Sequence, residues 1–466
     1  MLRIPCYLFS LLWLGTLSAQ DGRPPNIVFV LADDLGYADL GCYGQELIAT
    51  PNIDRLAADG MRFTQHYAGS TVCAPSRSVL MTGLHTGHTP IRGNGIYALA
   101  DSTVTVAEVL KEQGYVTALI GKWGLGHEGT TGEPSQQGFD HYYGYLDQVY
   151  AHNYYPEYLL RNGQREYLDN TVEYQDSSLW HGGRGSTSSE RRTYSHDLFT
   201  REALDFIANH ADTSFYLYLP YTIPHDNGEQ PLAERYEIPD YGDYADRDWT
   251  TTEKGYAAMI SRLDRDVGRI RDRLDSLGLT ENTLIVFTSD NGPVVSNYVD
   301  LSRFDSNGVL RGGKRDLYEG GIRVPLLAVL PGVVPAGTIS DHPSSFQDWL
   351  PTLADLAGAT DRPPTDGISM LPTLSGYRQQ PQHDYLYWEF HEQGGKLAIR
   401  QGPWKGVRTE VFARPDGPLE LYRLDSDPGE TINIAAEHPE KVAELNRLLR
   451  ASRVPSAQFP FVDRSR

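Results

Sequence analysis

Asn26-Ile27-Val28-Phe29-Val30-Leu31-Ala32-Asp33-Asp34 is the stretch that decides the architecture. From Ile27 to Ala32 it is apolar without alternation, rich in β-branched residues, and stops abruptly at two carboxylates. A run apolar throughout suits a strand buried on both faces. The form recurs at 116–120, which ends at Gly121-Lys122, and at 215–219, which ends near Pro220 and His225. It recurs again at 284–288, ending at Ser289-Asp290-Asn291-Gly292, and at 324–330, ending at Pro331-Gly332. Helical patterns lie between these runs, over 104–113, 196–209, 254–277 and 348–356. Strands alternating with helices imply an α/β sheet covered on both sides. In four of the strands the polar residues gather at the C-terminal end, where open α/β sheets bind ligands.

Near Pro363-Pro364-Thr365-Asp366-Gly367 the alternation fades. Short strands are expected over 385–390, 396–400, 404–408 and 420–423, then a last helix over 439–450, forming a small antiparallel sheet with one helix. The expected division is a leader over 1–19, a catalytic domain over 21–365 and a C-terminal α+β unit over 366–466.

The leader reading rests on Met1-Leu2-Arg3, an apolar stretch over 7–17 and small residues ending at Ala19. A basic start, a short apolar core and a small-residue cleavage site describe a secretory signal peptide, and the run is too short to span a membrane. Cys6 lies ahead of the apolar core, which leaves Cys42 and Cys73 in the mature chain. Two cysteines remaining of the three in the sequence mean stabilisation by a core, not by a disulfide framework. No Asn-x-Ser/Thr sequon occurs, which favours a bacterial protein, periplasmic or secreted. Forty-one basic against 61 acidic residues give a net charge of −20, which argues against nucleic acid or an anionic membrane as a partner.

Chemistry concentrates in Cys73-Ala74-Pro75-Ser76-Arg77-Ser78-Val79-Leu80-Met81-Thr82-Gly83. Pro75 suits the first turn of a helix, which places Cys73 at a helix N-terminus, where the dipole favours an anion. Arg77, about one turn on, offers a two-pronged donor set to anionic oxygens. From the residues alone Cys73 could equally be a buried structural cysteine or a disulfide partner of Cys42. Asp33, Asp34, Asp290 and Asn291 are oxygen donors brought by two strand ends. They suit a hard divalent cation rather than zinc, which prefers thiolate and imidazole.

The Cys73 run resembles the signature of the type I sulfatases, Cys-x-Pro-Ser-Arg followed by Leu-x-Thr-Gly. The segment 114–124 resembles their second signature, Tyr221-Thr222-Ile223-Pro224-His225 their Pro-His element, and Arg311-Gly312-Gly313-Lys314 with 319–325 a further motif. Leu421-Tyr422-Arg423-Leu424, Asp427-Pro428 and Asn433 resemble the closing segment, so the likeness runs from Asn26 to about Leu449. It implies an α/β, alkaline phosphatase-like mixed sheet sandwiched by helices, with a smaller C-terminal antiparallel sheet plus helix. It also implies a sulfuric ester hydrolase in which a formylglycine-generating maturation enzyme converts Cys73 to formylglycine (3-oxoalanine). The hydrated aldehyde would attack sulfur. Calcium, or magnesium, would sit on Asp33, Asp34, Asp290, Asn291 and an oxygen of residue 73. Arg77, Lys122 and Lys314 would take up sulfuryl charge, and His225 or Lys314 would protonate the leaving alcohol. Arg323 is expected to be structural.

One position departs from the family. Many members carry a histidine where this chain has Gly124, and that histidine is thought to take the proton that releases sulfate. His127 or His152 could substitute, or the chain could belong to a branch that uses glycine; both stay open. Tyrosines crowd 139–180, and 152–156 and 180–184 read as long loops over the catalytic edge, with His152, Trp180 and His181 as expected substrate contacts. The tyrosines read equally as a sugar-facing surface or as a packing layer. The expected substrate is an O-sulfated carbohydrate, with sulfated galactose or N-acetylgalactosamine suggested by the resemblance. Competing readings are a phosphonate monoester or phosphodiester hydrolase of the same fold, and a non-catalytic protein that binds sulfated glycans.

Overall fold

The computed structural model describes residues 22–176, 183–295, 301–377 and 379–461, so the expected leader, Trp180 and His181 lie outside the described residues. The strands are β1 (Asn26–Ala32), β2 (Met61–Tyr67), β3 (Val116–Lys122), β4 (His141–Tyr145), β5 (Tyr158–Arg161), β6 (Gln164–Tyr167), β7 (Thr171–Tyr174), β8 (Ser186–Glu190), β9 (Phe215–Pro220), β10 (Thr283–Ser289), β11 (Arg323–Val329), β12 (Thr338–Ser340), β13 (Ser344–Ser345), β14 (Leu386–Phe390), β15 (Lys396–Gln401), β16 (Trp404–Arg408) and β17 (Glu420–Arg423). The helices are α1 (Pro51–Asp59), α2 (Cys73–Thr82), α3 (Val106–Glu112), α4 (Ser195–Asn209), α5 (Thr251–Ser276), α6 (Glu319–Ile322), α7 (Trp349–Leu356), α8 (Leu371–Leu374) and α9 (Pro439–Ala451).

Among the described residues eleven strands form one mixed sheet, ordered β12-β2-β11-β10-β1-β9-β3-β4-β5-β6, with β13 also paired to β2. β1 lies between β10 and β9 and is parallel to both; β3 is parallel to β9 and β4. β11 runs antiparallel to β10 and β2. Two helical groups pack, α1 with α4 and α5, and α2 with α3 and α7. Between them β1 is buried along its whole length, which is why its sequence does not alternate. Phe29 meets Trp349 of α7 edge-on at 5.1 Å, while its neighbours along the strand face the other layer.

Capping chemistry shifts two helices from their expected starts. Thr105 and Glu108 form a reciprocal capping box that starts α3 at Val106 rather than at 104, and Thr250 with Glu253 starts α5 at Thr251 rather than at 254. Within 139–180, β4, β5 and β6 extend the main sheet and β7 pairs with β8 as a separate ribbon; in the expected loop 152–156, residues 153–156 carry no regular element, and of the expected loop 180–184, residues 180–182 lie outside the described residues. Tyr142, Tyr143, Tyr145, Tyr150, Tyr154, Tyr155 and Tyr158 are all buried, so for them the sugar-facing reading gives way to packing. Tyr167 and Tyr174 are exposed. Cys42 and Cys73 are both free thiols, which removes the disulfide alternative.

The second sheet runs β14-β15-β16-β17, antiparallel throughout. Its two faces are both apolar. Trp388, Phe390, Ala398, Val407 and Tyr422 pack on Tyr67, Val72, Leu317 and Ile322 of the larger unit. Tyr387, Ile399 and Leu421 face Leu445 and Leu449 of α9. The Trp388 indole N–H donates to the Ala68 carbonyl at 3.0 Å and fixes the sheet against the segment leading into α2. No helix among the described residues is long and apolar enough to cross a membrane.

Candidate active site

Sheet order assembles the site. β10, β1, β9 and β3 are consecutive neighbours, all parallel, so their C-terminal ends fall side by side. Those ends carry Asp290 and Asn291, Asp33 and Asp34, His225, and Lys122 respectively. Register pairs Ala32 with Ser289, and the Asp290 amide donates to the Ala32 carbonyl at 3.0 Å, which sets the two acidic pairs together. Lys122 is level with the rest because β3 continues through Gly121, where a Cβ would meet the Pro220 carbonyl oxygen at 2.0 Å and φ is +130°.

α2 delivers Cys73 and Arg77. Cys73 is the first residue of the helix, following extended Val72, and its thiol donates to Asp33 Oδ1 at 3.5 Å. Asn94 Oδ1 accepts from the Ala74 amide at 3.1 Å and satisfies one orphan donor of the first turn. Arg77 is wholly buried. Its Nε and Nη2 donate to Asp290 Oδ2 at 3.2 and 2.9 Å, and Nη1 to the Lys122 carbonyl at 2.5 Å. Its Nη2 also lies 3.4 Å from Asp33 Oδ2, so the fork is turned to Asp290, Asp33 and β3. Ser76 Oγ donates to the Asp290 carbonyl at 2.6 Å.

Two lysines face the carboxylates. Lys122 Nζ donates to Asp33 Oδ2 at 2.7 Å and Lys314 Nζ to Asp34 Oδ2 at 2.6 Å. Lys314 Nζ also lies 2.8 Å from His225 Nε2. His225 Nδ1 lies 2.6 Å from the Asp226 carbonyl, an acceptor only, so Nδ1 carries the proton and Nε2 accepts from Lys314. Burial, then the Lys314 ammonium, hold this imidazole well below its ordinary range, in keeping with that neutral form. Burial would raise Asp33, but Lys122 and Arg77 overcome it and hold the carboxyl well below the usual range. Burial raises Asp34 despite Lys314, and burial together with Asp33 pushes Asp290 up to about 7. Burial, then Asp33, push the Cys73 thiol up to about 12, so as cysteine it stays un-ionised.

A cation fits this cluster. Three buried carboxylates crowd one point, and Asn291 Oδ1 is buried without a hydrogen-bond partner while its Nδ2 donates to Asp34 Oδ1 at 2.7 Å. An orphaned buried carbonyl oxygen beside two carboxylates raised first by burial is a set of hard oxygen donors of the kind a divalent cation takes. Donor atoms of Asp33, Asp34, Cys73 and His225 lie within 4.8 Å of one another.

The site opens into a cavity of about 530 Å³ lined by Cys73, Lys122, His225 and Lys314, and further out by His127, His152 and Arg315. Of the expected substrate contacts, His152 therefore reaches the cavity. Gly124 has φ of +81°, and the atoms nearest to a Cβ there are Cβ and Oε1 of Gln148 at 3.7 Å, so Gln148 lies over the place of the family's histidine. Arg323 pairs with Glu319 at 2.8 Å and with the Tyr67 hydroxyl, away from the cavity, as expected of a structural residue. Sequence reasoning missed Asn94 and Glu229. Asn94 sits in the turn Arg92-Gly93-Asn94-Gly95, a signal for a tight loop but not for what it caps. Glu229 holds His152 Nδ1 at 3.1 and 3.2 Å.

Comparison with known proteins agrees with this geometry. A family model described as sulfatase matches residues 25–359, and one described as N-sulphoglucosamine sulphohydrolase, C-terminal, matches residues 312–454. Arylsulfatase A of Homo sapiens is 35% identical, over 91% of this chain and 87% of its own. N-acetylgalactosamine-6-O-sulfatase of Bacteroides thetaiotaomicron is 31% identical, over 93% of this chain and 94% of its own. Among solved structures, Ps i-CgsB in complex with k-i-k-neocarrahexaose superposes with a TM-score of 0.75 at 29% identity, covering 92% of this chain and 93% of that one.

Proposed function

The chain belongs to the sulfatase family, hydrolases of sulfate esters, and on that premise we propose that it removes an O-sulfate from a carbohydrate through a nucleophile made from Cys73. The observation that carries this reading is the position of Cys73, first residue of a buried helix, facing Asp33 and opening on the same cavity as Lys122, His225 and Lys314. A maturation enzyme that oxidises cysteine to formylglycine supplies an aldehyde, whose hydrate has the oxygen nucleophile an un-ionised thiol lacks.

Asp33, Asp34, Asp290 and Asn291 would hold a calcium or magnesium ion. Such an ion acidifies a nearby hydroxyl and offsets sulfate charge. The protein's own groups do the rest. The helix start and Asp33 orient residue 73 for in-line attack at sulfur. Lys122 and Lys314 each have N–H donors beyond the one given to a carboxylate, and these are placed for sulfate oxygens. The proton the leaving oxygen needs lies between Lys314 Nζ and His225 Nε2, with the Asp226 carbonyl holding the imidazole in the tautomer that can receive from lysine. Arg77 fixes Asp290 and the end of β3, so its part is to position both. Lys122, Lys314 and the ion together would draw an anionic substrate to a chain whose net charge is −20.

The carbohydrate reading is supported by relatives and neighbours named for sulfated sugars, and export, as a bacterial periplasmic or secreted protein, by the leader-like N-terminus. Cys73→Ser is expected to lower sulfate release by at least about a thousandfold. Peptide mass spectrometry across residue 73 of protein from its native host should show aldehyde in place of thiol. Full turnover in Cys73→Ala would end the proposal, and faster cleavage of phosphate diesters than of any sulfate ester would favour the phosphodiesterase reading instead.

A further inference from the structure

Lys314 sits in a tight turn with one residue out of character. Gly313-Lys314-Arg315-Asp316 closes with the Asp316 amide donating to the Gly313 carbonyl at 2.8 Å, and Arg315, its third residue, has φ of +74°. Positive φ at that position marks a type II turn, where glycine or asparagine is the usual occupant. An arginine there carries the strain of a Cβ in the left-handed region. In the unstrained alternative, a type I turn, the peptide between the two central residues is turned over. Here that peptide joins Lys314 to Arg315, and its N–H donates to the Thr71 carbonyl at 3.1 Å, two residues before Cys73. The Lys314 amide is fixed on its other side to the Pro293 carbonyl at 2.8 Å. A change of turn would break the bond to Thr71, one of the two anchors that set Lys314 between Asp34 and His225.

The strained turn is held from the second sheet. Lys396, first residue of β15, is buried, and its Nζ donates to the Arg315 carbonyl at 2.7 Å, to Asp316 Oδ1 at 2.9 Å and to Gln393 Oε1 at 3.0 Å. An ammonium has three N–H donors, and these three acceptors account for all of them. Phe390, opposite Lys396 on β14, lies with its ring centroid 5.7 Å from Nζ. A carbonyl and a carboxylate from successive residues of the turn converge on one buried charge, which fixes the direction of the Arg315 carbonyl. The Arg315 side chain holds the turn far less firmly. Its Nε lies 3.5 Å from Glu392 Oε2, and both side chains are partly exposed.

We propose that Lys396 is a positioning residue for the reaction: it holds Arg315 in the left-handed conformation and so keeps Lys314 Nζ between Asp34 and His225, where the leaving oxygen takes its proton. This goes beyond the sulfatase reading and rests on it. The second sheet then shapes the chemistry at the edge of the first, through a contact 81 residues along the chain from the turn.

The test uses formylglycine-bearing protein and aryl sulfates graded by the acidity of the phenol released. A good leaving group such as p-nitrophenolate needs little protonation, and a poor one such as phenolate needs it most. Lys396→Met should lower kcat about threefold on p-nitrophenyl sulfate and at least about thirtyfold on phenyl sulfate, because a displaced Lys314 fails most where a proton is needed. A merely unfolded fraction lowers both equally. In an Arg315→Gly background, where the turn needs no clamp, Lys396→Met should cost less than about threefold on either ester. Arg315→Gly and Arg315→Val delete the same side chain and leave Lys396 in place, so the pair isolates backbone preference. The valine variant should reproduce the loss that grows with poorer leaving groups, and the glycine variant should not; this comparison decides the matter if Lys396→Met fails to fold. An equal loss on all esters, an undiminished loss in the glycine background, or valine and glycine variants that behave alike would each overturn the proposal. Wild-type protein that releases no sulfate from any ester is a different failure, that of the sulfatase reading itself.

Discussion

Arg77 shows how far a side chain's role depends on its partners. Its place in the Cys-x-Pro-Ser-Arg run and its fork geometry were legible, and they suggested a sulfate contact. In the folded chain its nitrogens meet Asp290, the Lys122 carbonyl and, at 3.4 Å, Asp33. Nothing in the local sequence could reveal this, because Asp290 lies 213 residues away. Arg77→Lys keeps the charge but cannot span both acceptors. We expect sulfate release to fall by about a hundredfold, and the unfolding free energy in denaturant titration to drop by about 2–4 kcal/mol, as for an incompletely replaced buried pair. Unchanged stability and activity within about threefold of wild type would show that the fork is dispensable. Glu229 was invisible for the same reason: nothing marks Asp226-Asn227-Gly228-Glu229 until the fold lays it against His152.

Among the elements, β14 does more than pack. Its Glu389 is fully buried and receives Arg92 at 3.1 Å, Arg453 at 2.9 Å, His391 at 2.9 Å and the Tyr387 hydroxyl at 2.8 Å. Arg92 adjoins the turn that holds Asn94 against α2, and Arg453 follows α9, so one carboxylate joins the second sheet, the C-terminal segment and the catalytic helix. Burial would raise this carboxyl, but His391, Arg453 and Arg92 lower it to about 2 from an ordinary 4.5. A depressed folded-state value means that the stabilisation is complete above about pH 4.5 and is lost as pH falls toward 2. The expected loss over that window is on the order of 3 kcal/mol. Glu389→Gln should flatten the fall of the denaturation midpoint across the same window, and an undiminished slope in that variant would assign the acid sensitivity to other groups. The strands of this sheet were readable from turn-bounded apolar runs. Its second apolar face, against Val72 and Tyr67, was not, since a strand's pattern shows that a face is buried without showing what covers it.

At the scale of the molecule, an ion held only by the folded state would couple chemistry to stability. Asp33, Asp34, Asp290 and Asn291 come from two strands far apart in sequence, so the unfolded chain offers no such set. Calcium should therefore raise the thermal midpoint progressively, by an amount equivalent to about 2.7 kcal/mol at a hundredfold excess over its dissociation constant. Asp34→Asn should weaken that response, and a midpoint indifferent to both calcium and magnesium would take the ion out of the reading. The sequence by itself determined the strand runs, the polar residues at their ends and the Cys73 helix, because these follow from local apolar patterning and local turn chemistry. Only the tertiary structure decided that β10, β1, β9 and β3 stand in consecutive order, that the tyrosines of 142–158 are mostly packing, and that Glu229 and Arg77 serve other residues. Strand order and carboxylate pairing are non-local: they are set by which buried faces and which charges meet across hundreds of residues, and one-dimensional periodicity carries no record of those meetings.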